Sequence, residues 1–439
     1  MRAKLQSIRF LATAFGLLAT LPAPSASARE LSLQDALTTA AKQSPSVAQS
    51  RARLEESEAD AVGARAALLP KLFASASYAW LDPTRLSPMG STSTGGTAPA
   101  LYSQEGFAGL RAKQVLFDGL RSWAGLSAAQ GGIDAERSGV RAADLDSTLA
   151  VTGAFVRLLE AQRLVSVASQ AFERQRAFEA LIEGQLQLGK GARLDLLKAQ
   201  AQRLDAERAL VSAEESRKAA SAALRRWTGA DGSDELVATG ELLPSTGEPD
   251  LVALREIARR ASPDLARLSA QLRQSEAQAD AARGGYLPEL GLQGTYGYRS
   301  RDIGGGADEW TAGVTLDWTL FDGLATHAQV AKAQARAAQL REARRALELQ
   351  IDSDLQEAAA AARSAAAASS STAKSVEVSQ EAAEAALALY AAGRATSLDV
   401  LTSQADLARA EANHVLALGD EAIARARLTR LAGQPKVGS

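Results

Sequence analysis

Four stretches of the chain alternate apolar and polar residues with a period of two. The clearest is WTAGVTLDWTL (310–320), where Trp310, Ala312, Val314, Leu316, Trp318 and Leu320 oppose Thr311, Thr315, Asp317 and Thr319. In KLFASASYAW (71–80), Leu72, Ala74, Ala76, Tyr78 and Trp80 oppose Ser75 and Ser77. Ala108, Leu110, Ala112 and Leu116 oppose Arg111 and Lys113, and Leu290, Leu292, Tyr296 and Tyr298 oppose Gln293 and Thr295. Successive side chains of a strand leave opposite faces, so each run predicts a strand with one apolar and one polar face. They fall into two hairpins, 71–117 and 289–321. Each run is about ten residues long, the length of a tilted strand crossing a bilayer. Trp80, Trp310 and Trp318, near the run ends, suit a membrane-interface girdle. The competing possibility is a strand packed on a soluble core. Four strands cannot close a barrel with a lumen. If these strands span a membrane, several chains must share one barrel.

The rest of the chain reads with the helical period. Residues 31–68 predict helix, with Pro45 after Ser44 placed to start a new one and Pro70 to stop it; Pro263 and Pro288 stand in the same places later. After the first hairpin a helical pattern runs from Leu120 to about Leu188, roughly 100 Å of helix. The glycines at 125, 131, 132, 139 and 153 either weaken that helix or allow close approach of another. LGKGARLDLL (188–197) turns the chain into a second helix, 194–227. There Leu194, Leu197, Ala201, Leu204 and Val211 form a narrow coiled-coil seam, repeated by Leu398, Leu401, Ala405, Ala408 and Val415. The Ala-rich EAAAAARSAAAASSS (357–371) is either a tightly packed or a solvated stretch of helix.

The two halves are copies of one unit. LFDGL stands at 116–120 and at 320–324, an offset of 204 that also aligns GKGARLDLLKAQAQRLDAE (189–207) with GRATSLDVLTSQADLARAE (393–411). Upstream the offset is 218, which sets Pro45 on Pro263 and LLPKL (68–72) on YLPEL (286–290). The difference falls in the hairpin loops, 83–106 against 299–309, because exposed loops absorb insertions cheaply. The expected organisation is therefore a leader (1–28), a first repeat (29–228), a linker rich in Gly and Pro (229–250), a second repeat (251–433) and a tail (434–439). The leader has Arg2, Lys4 and Arg9 before a short apolar run and ends on Ala26-Ser27-Ala28, the pattern of a cleaved export signal. The apolar run is short for a membrane anchor.

Composition narrows the chemistry. The chain has no cysteine, so it holds by packing without disulfides. Its net charge of −2 becomes −5 without the three leader cations, and no basic tract points to nucleic acid. His327 and His414 are far apart and have no cysteine to complete a zinc set. No nucleophile–base constellation suggests an enzyme, and no cofactor is implied.

In its duplication, LLPKL and YLPEL before the strands, LFDG at each return to helix, and the turns GKGARLDLL and YAAGRATSLDVL, the chain resembles the TolC family of outer-membrane efflux and secretion channels. That resemblance implies a mainly α chain with a membrane β-barrel. Three protomers give four strands each to a twelve-stranded barrel, continued by a long periplasmic α-helical barrel. It implies a passive exit duct of a tripartite efflux or type I secretion system, docked on a periplasmic adaptor and an inner-membrane ABC or proton-driven transporter. A periplasmic coiled-coil tether is the competing function. The family's aspartate ring falls on Asp399, with Asp195 as its repeat partner, and its inter-helix tyrosine on Tyr390; Thr402 stands where some members carry a second aspartate. The same aspartates also suit a helix start, and Tyr390 also suits simple packing. Gly189-Lys190 and Gly393-Arg394 match adaptor-docking tips, with Arg394 the looser match. Phe117-Asp118-Gly119 and Phe321-Asp322-Gly323 are expected to be the joints where barrel becomes tube, the aspartate capping and the glycine turning the chain. By alternation Arg111 and Lys113 would face the lumen, where they bias passage toward anions or simply keep it wet.

Overall fold

Two helices of equal length set the scale of the molecule. The computed structural model describes residues 29–80, 104–229, 235–242, 250–302 and 305–434. The expected leader (1–28), most of the first hairpin loop and the tail after Gln434 lie outside the described residues. The first repeat holds β1 (Arg29–Leu31), α1 (Leu33–Gln43), α2 (Pro45–Ala66), β2 (Lys71–Trp80), β3 (Gln104–Phe117), α3 (Arg121–Gln187) and α4 (Arg193–Thr228). After β4 (Leu236–Ala238), the second holds α5 (Leu251–Ala261), α6 (Pro263–Arg283), a 3-10 turn (Gly284–Tyr286), β5 (Glu289–Asp302), β6 (Gly305–Asp317), α7 (Ala325–Ala391) and α8 (Ser397–Leu431). Helices α3 and α7 each have 67 residues, about 100 Å at 1.5 Å per residue. Ser44 and Ser262, each with extended backbone before a proline, break the shorter helices as the sequence predicts. The long-helix glycines do not break α3. Gly131 and Gly132 lie against Gln274 of α6, where a side chain would intrude, whereas Gly125 and Gly153 face open space.

The four longer strands form one antiparallel sheet in the order β2-β3-β5-β6. Its two faces follow the period of two. Leu72, Leu110, Tyr296 and Trp310 share the apolar face; Phe73, Arg111, Thr295 and Thr311 lie in one row across the other. Side chains on both faces of β2 and nearly all of β6 are exposed. Three details differ from the sequence expectation. Leu116 sits in a bulge, so Phe117 rather than Leu116 stands opposite Leu290. Strand β6 stops at Asp317, leaving Trp318 to Phe321 outside it. The second hairpin extends through much of the expected loop 299–309, because Arg299 bonds Glu309 at 2.7 Å and also bonds Glu105, tying three strands together.

Two core clusters lie about halfway along the long helices and are repeat equivalents. The first includes Ala40, Val151, Phe155, Leu158 and Leu224; the second Ala258, Leu355, Ala359, Ala362 and Leu428. Phe155 and Leu158 thus become alanines in the second copy, and the Ala-rich stretch is packed on one face only, through Ala358, Ala359, Ala362 and Ser369, while most of its other residues are exposed. The first cluster also takes Leu31, Leu236 and Ala238 from β1 and β4, which pair in parallel. The linker therefore contains a strand that returns to the start of the first repeat.

The seam on α4 does not face its own chain. Leu194, Leu197, Leu204 and Val211 are 61, 54, 55 and 54% exposed. Helix α4 meets α3 through the offset stripe of Leu196, Ala199, Arg203 and Leu224 instead. In α8 the equivalent seam is more covered: Leu401 is buried against Phe178 and Ile182 of α3 and Ala405, Ala408 and Val415 are half-buried, although Leu398 stays exposed.

Candidate functional site: the hairpin tips and the joints

Both helical hairpins turn through the same device. Gly189 and Gly393 adopt positive φ, 73° and 69°. Lys190 N–H donates back to Gln185 O and Gly189 N–H to Leu186 O; Arg394 and Gly393 do the same to Leu389 and Tyr390. This paired closure satisfies the last carbonyls of a helix and favours glycine, which carries no Cβ penalty there. Lys190 and Arg394 are left exposed at the tips.

The two tips diverge just beyond the turn. Thr396 caps α8: its hydroxyl accepts from Asp399 N–H, while its own N–H and hydroxyl donate to Asp399 Oδ2 at 2.8 and 2.7 Å. These bonds hold the Asp399 carboxyl below the usual aspartate range. The first repeat has Ala192 at that position and no side-chain cap. Asp195 instead accepts a 2.6 Å hydrogen bond from Ser397 of the other hairpin. Each aspartate thus has a separate partner, Asp399 in its own helix and Asp195 across the repeats. Tyr390 makes the second cross-link. Its hydroxyl donates to Gln185 at 2.9 Å, and its ring meets Phe178 edge-on at 5.3 Å. Burial, and then the nearby Asp195 carboxylate, push the Tyr390 phenol up, so it stays a donor. Phe178, Ile182, Ala199, Val400 and Leu401 form the apolar plug behind these bonds.

Ser397, Gln185 and Thr396 were not singled out from the sequence. Thr396 had a readable signal, a threonine three residues before an acid at a helix start. Ser397 and Gln185 had none, since their partners lie about two hundred residues away.

At the other end of the long helices, the two LFDGL segments take one conformation. Gly119 and Leu120 have φ of 70° and 66°; Gly323 and Leu324 have 66° and 72°. The aspartates reach past these turns into the helix. Asp118 accepts from Ser122 N–H at 2.8 Å and Asp322 from Thr326 N–H at 2.7 Å. The surroundings differ. A side chain on Gly119 would collide with Gly284 O and Leu287, and Arg121 bridges to Glu289 at 3.1 Å. Gly323 has nothing near it. Phe117 and Phe321 are both exposed.

Two 67-residue helices joined to an open sheet with one apolar and one polar face suit a segment of a wall, and the comparisons agree. The family model described as outer membrane efflux protein matches residues 36–230 and 254–434. The chain belongs to the outer membrane efflux protein family. It is accordingly an outer-membrane efflux protein and not an enzyme. Its fold is shared with solved channels. VceC of Vibrio cholerae is 20% identical, with a TM-score of 0.76 over 92% of this chain and 96% of that one. CmeC of Campylobacter jejuni is 18% identical, with 0.78 over 91% and 85%, and the open MtrE channel of Neisseria gonorrhoeae 22% identical, with 0.77 over 92% and 89%. The fusaric acid resistance protein FusA of Burkholderia cepacia is 28% identical over 212 residues, 44% of this chain. This match spans 38% of that relative's length.

Proposed function

We propose that three copies of this chain close head to tail into one duct, which passes cargo outward from a periplasmic adaptor and an inner-membrane transporter. One observation carries this reading: the repeats meet each other once within the chain and leave the equivalent meeting unmade. Helix α3 is flanked by α2 and α4 of its own repeat and by α6 and α8 of the other. Its repeat mate α7 packs mainly on α5, α6 and α8. On the sheet, β3 pairs with β5, while β2 and β6 remain edges. The bare seam of α4, the open space beside Gly323 and the two sheet edges all belong to that unmade contact. A second copy satisfies them by presenting its α7 and β6 to α4 and β2. Four strands per chain and a lumen require several copies; three give the twelve strands of the family resemblance.

In this duct the tips form the periplasmic end. Tyr390–Gln185 and Asp195–Ser397 hold each pair of hairpins together at the constriction, and Asp399 stiffens the tip through its cap. Gly189-Lys190 and Gly393-Arg394 present the adaptor-docking turns. The segments at Phe117–Gly119 and Phe321–Gly323 join barrel to tube. The partial relative, a fusaric acid resistance protein, makes fusaric acid the first cargo to try. Fractionation of cells expressing the chain tests the assembly: the expected result is a heat-modifiable trimer in the outer membrane. A soluble periplasmic monomer alone would overturn it in favour of a coiled-coil tether.

A further inference from the structure

The polar face of the sheet segregates its charges. Toward the outer end Arg299 is engaged with Glu105 and Glu309 and lies over the Phe107 ring. At the inner end Glu289 is paired with Arg121, opposite Asp317. Between these lie Lys71, Lys113 and Arg111. Lys71 stands directly opposite Lys113, and Arg111 is two residues further along β3, opposite Phe73. All three are exposed, and none makes an ion pair among the described residues. The remainder of those rows is Gln293 and Gly313, then Thr295 and Thr311. From strand rise and spacing, Glu309 lies about 12 Å from Arg111 along the sheet and Asp317 about 16 Å from Lys113. Both distances exceed the Debye length of about 8 Å at physiological salt, so the acids do not cancel the cations.

Like charges placed directly opposite on one face destabilise a strand pair. Fold stability therefore gives no reason for this arrangement. We infer that Lys71, Arg111 and Lys113 form an anion-attracting belt inside the barrel, which favours passage of small carboxylate-bearing cargo. This rests on the channel reading, which turns the polar face to the lumen because the apolar face meets lipid. Repetition around the ring places the same belt at one height from every chain. An Arg guanidinium matches a carboxylate with two parallel hydrogen bonds, while the lysines act as point charges that raise the local anion concentration.

The test is the reversal potential of the purified channel in planar bilayers under a KCl gradient, with citrate then added as a multivalent probe. Wild type is expected to prefer chloride over potassium and to be blocked by citrate. In Lys71→Gln/Arg111→Gln/Lys113→Gln the anion-to-cation permeability ratio should fall at least about threefold, the Boltzmann factor of one unit charge across about 7 Å of water. Citrate block should weaken in parallel. An open channel whose selectivity and block do not change overturns the belt and leaves the duct intact. Membrane-inserted protein without any conductance overturns the duct, and the belt with it. Should the triple variant fail to insert, Arg111→Gln alone must shift selectivity in the same direction; no shift there also overturns the belt.

Discussion

At the residue scale, the tips show how one substitution redirects an aspartate. Thr396 engages Asp399 in a local cap, whereas Ala192 leaves Asp195 available to Ser397. The consequences of protonation therefore differ between them. The Asp399 pKa is lowered in the folded chain by its bonds from Thr396. Its contribution is complete above the unfolded aspartate value of about 3.9 and is lost as pH falls through the folded one. Wild type should therefore be more stable than Asp399→Ala at pH 5, and melting curves should show the gap narrowing as pH falls below about 3.9. A gap that does not change with pH would mean that the carboxylate is not what caps α8. In the proposed duct the cross-repeat bonds hold the constriction, so their loss should show in gating rather than in folding. Tyr390→Phe with Ser397→Ala removes both hydroxyl donors and keeps the ring on Phe178. Leak conductance in planar bilayers should rise in this variant with little change in melting temperature; an unchanged leak would reduce both bonds to packing detail.

At the scale of elements, the sequence was most legible where structure is local. Strand alternation, the proline starts at Pro45 and Pro263 and the glycine turns at Gly189 and Gly393 all depend on a few neighbouring residues. What was not legible depends on distant ones. Strands β1 and β4 are three residues each, too short to show a period, and exist because each is the other's partner. The extension of β5 and β6 depends on Arg299 meeting Glu105, 194 residues away. The bulge at Leu116 inverts the strand's last step without a local mark. Helix α4 has two apolar stripes, and composition alone does not say which one its own chain covers. The core clusters offer an element-scale prediction. Leu158 is fully buried where β1, β4 and α1 gather on α3, while its equivalent in the second cluster is Ala362. Leu158→Ala should destabilise the chain by about 2–5 kcal/mol, since α3 is too long and too widely engaged to collapse onto the cavity. Denaturant unfolding measures this. A loss well under about 1 kcal/mol would show that the mini-sheet relaxes to fill the space.

At the scale of the whole molecule, duplication turns one observed interface into a prediction of another. Helix α3 grips α8 through Arg174, which makes a 2.8 Å ion pair with Glu411 inside the chain. The offset of 204 carries Arg174 to Val378 on α7 and Glu411 to Glu207 on α4. Val378 is 66% exposed, an apolar side chain left largely to solvent in the single chain. If the unmade contact repeats the made one, Val378 of one copy lies beside Glu207 of the next. Such a head-to-tail contact uses two different patches, so it either closes a ring or runs on as a filament. The twist between repeats already present within the chain, applied again, decides which. Val378→Cys/Glu207→Cys introduces the only two thiols in the chain, because the natural sequence has none. A short bis-maleimide should join them between copies in intact outer membranes, and the ladder should stop at three chains. Either single variant should give no ladder. Products that stop at two would point to a different interface, and products that continue past three would exclude a closed trimer. The result also bears on the fold itself: in the proposed duct another copy finishes the exposed leucine seam of α4, so polar substitutions in that seam that abolish the ladder of the double-cysteine chain should also lower resistance to unfolding.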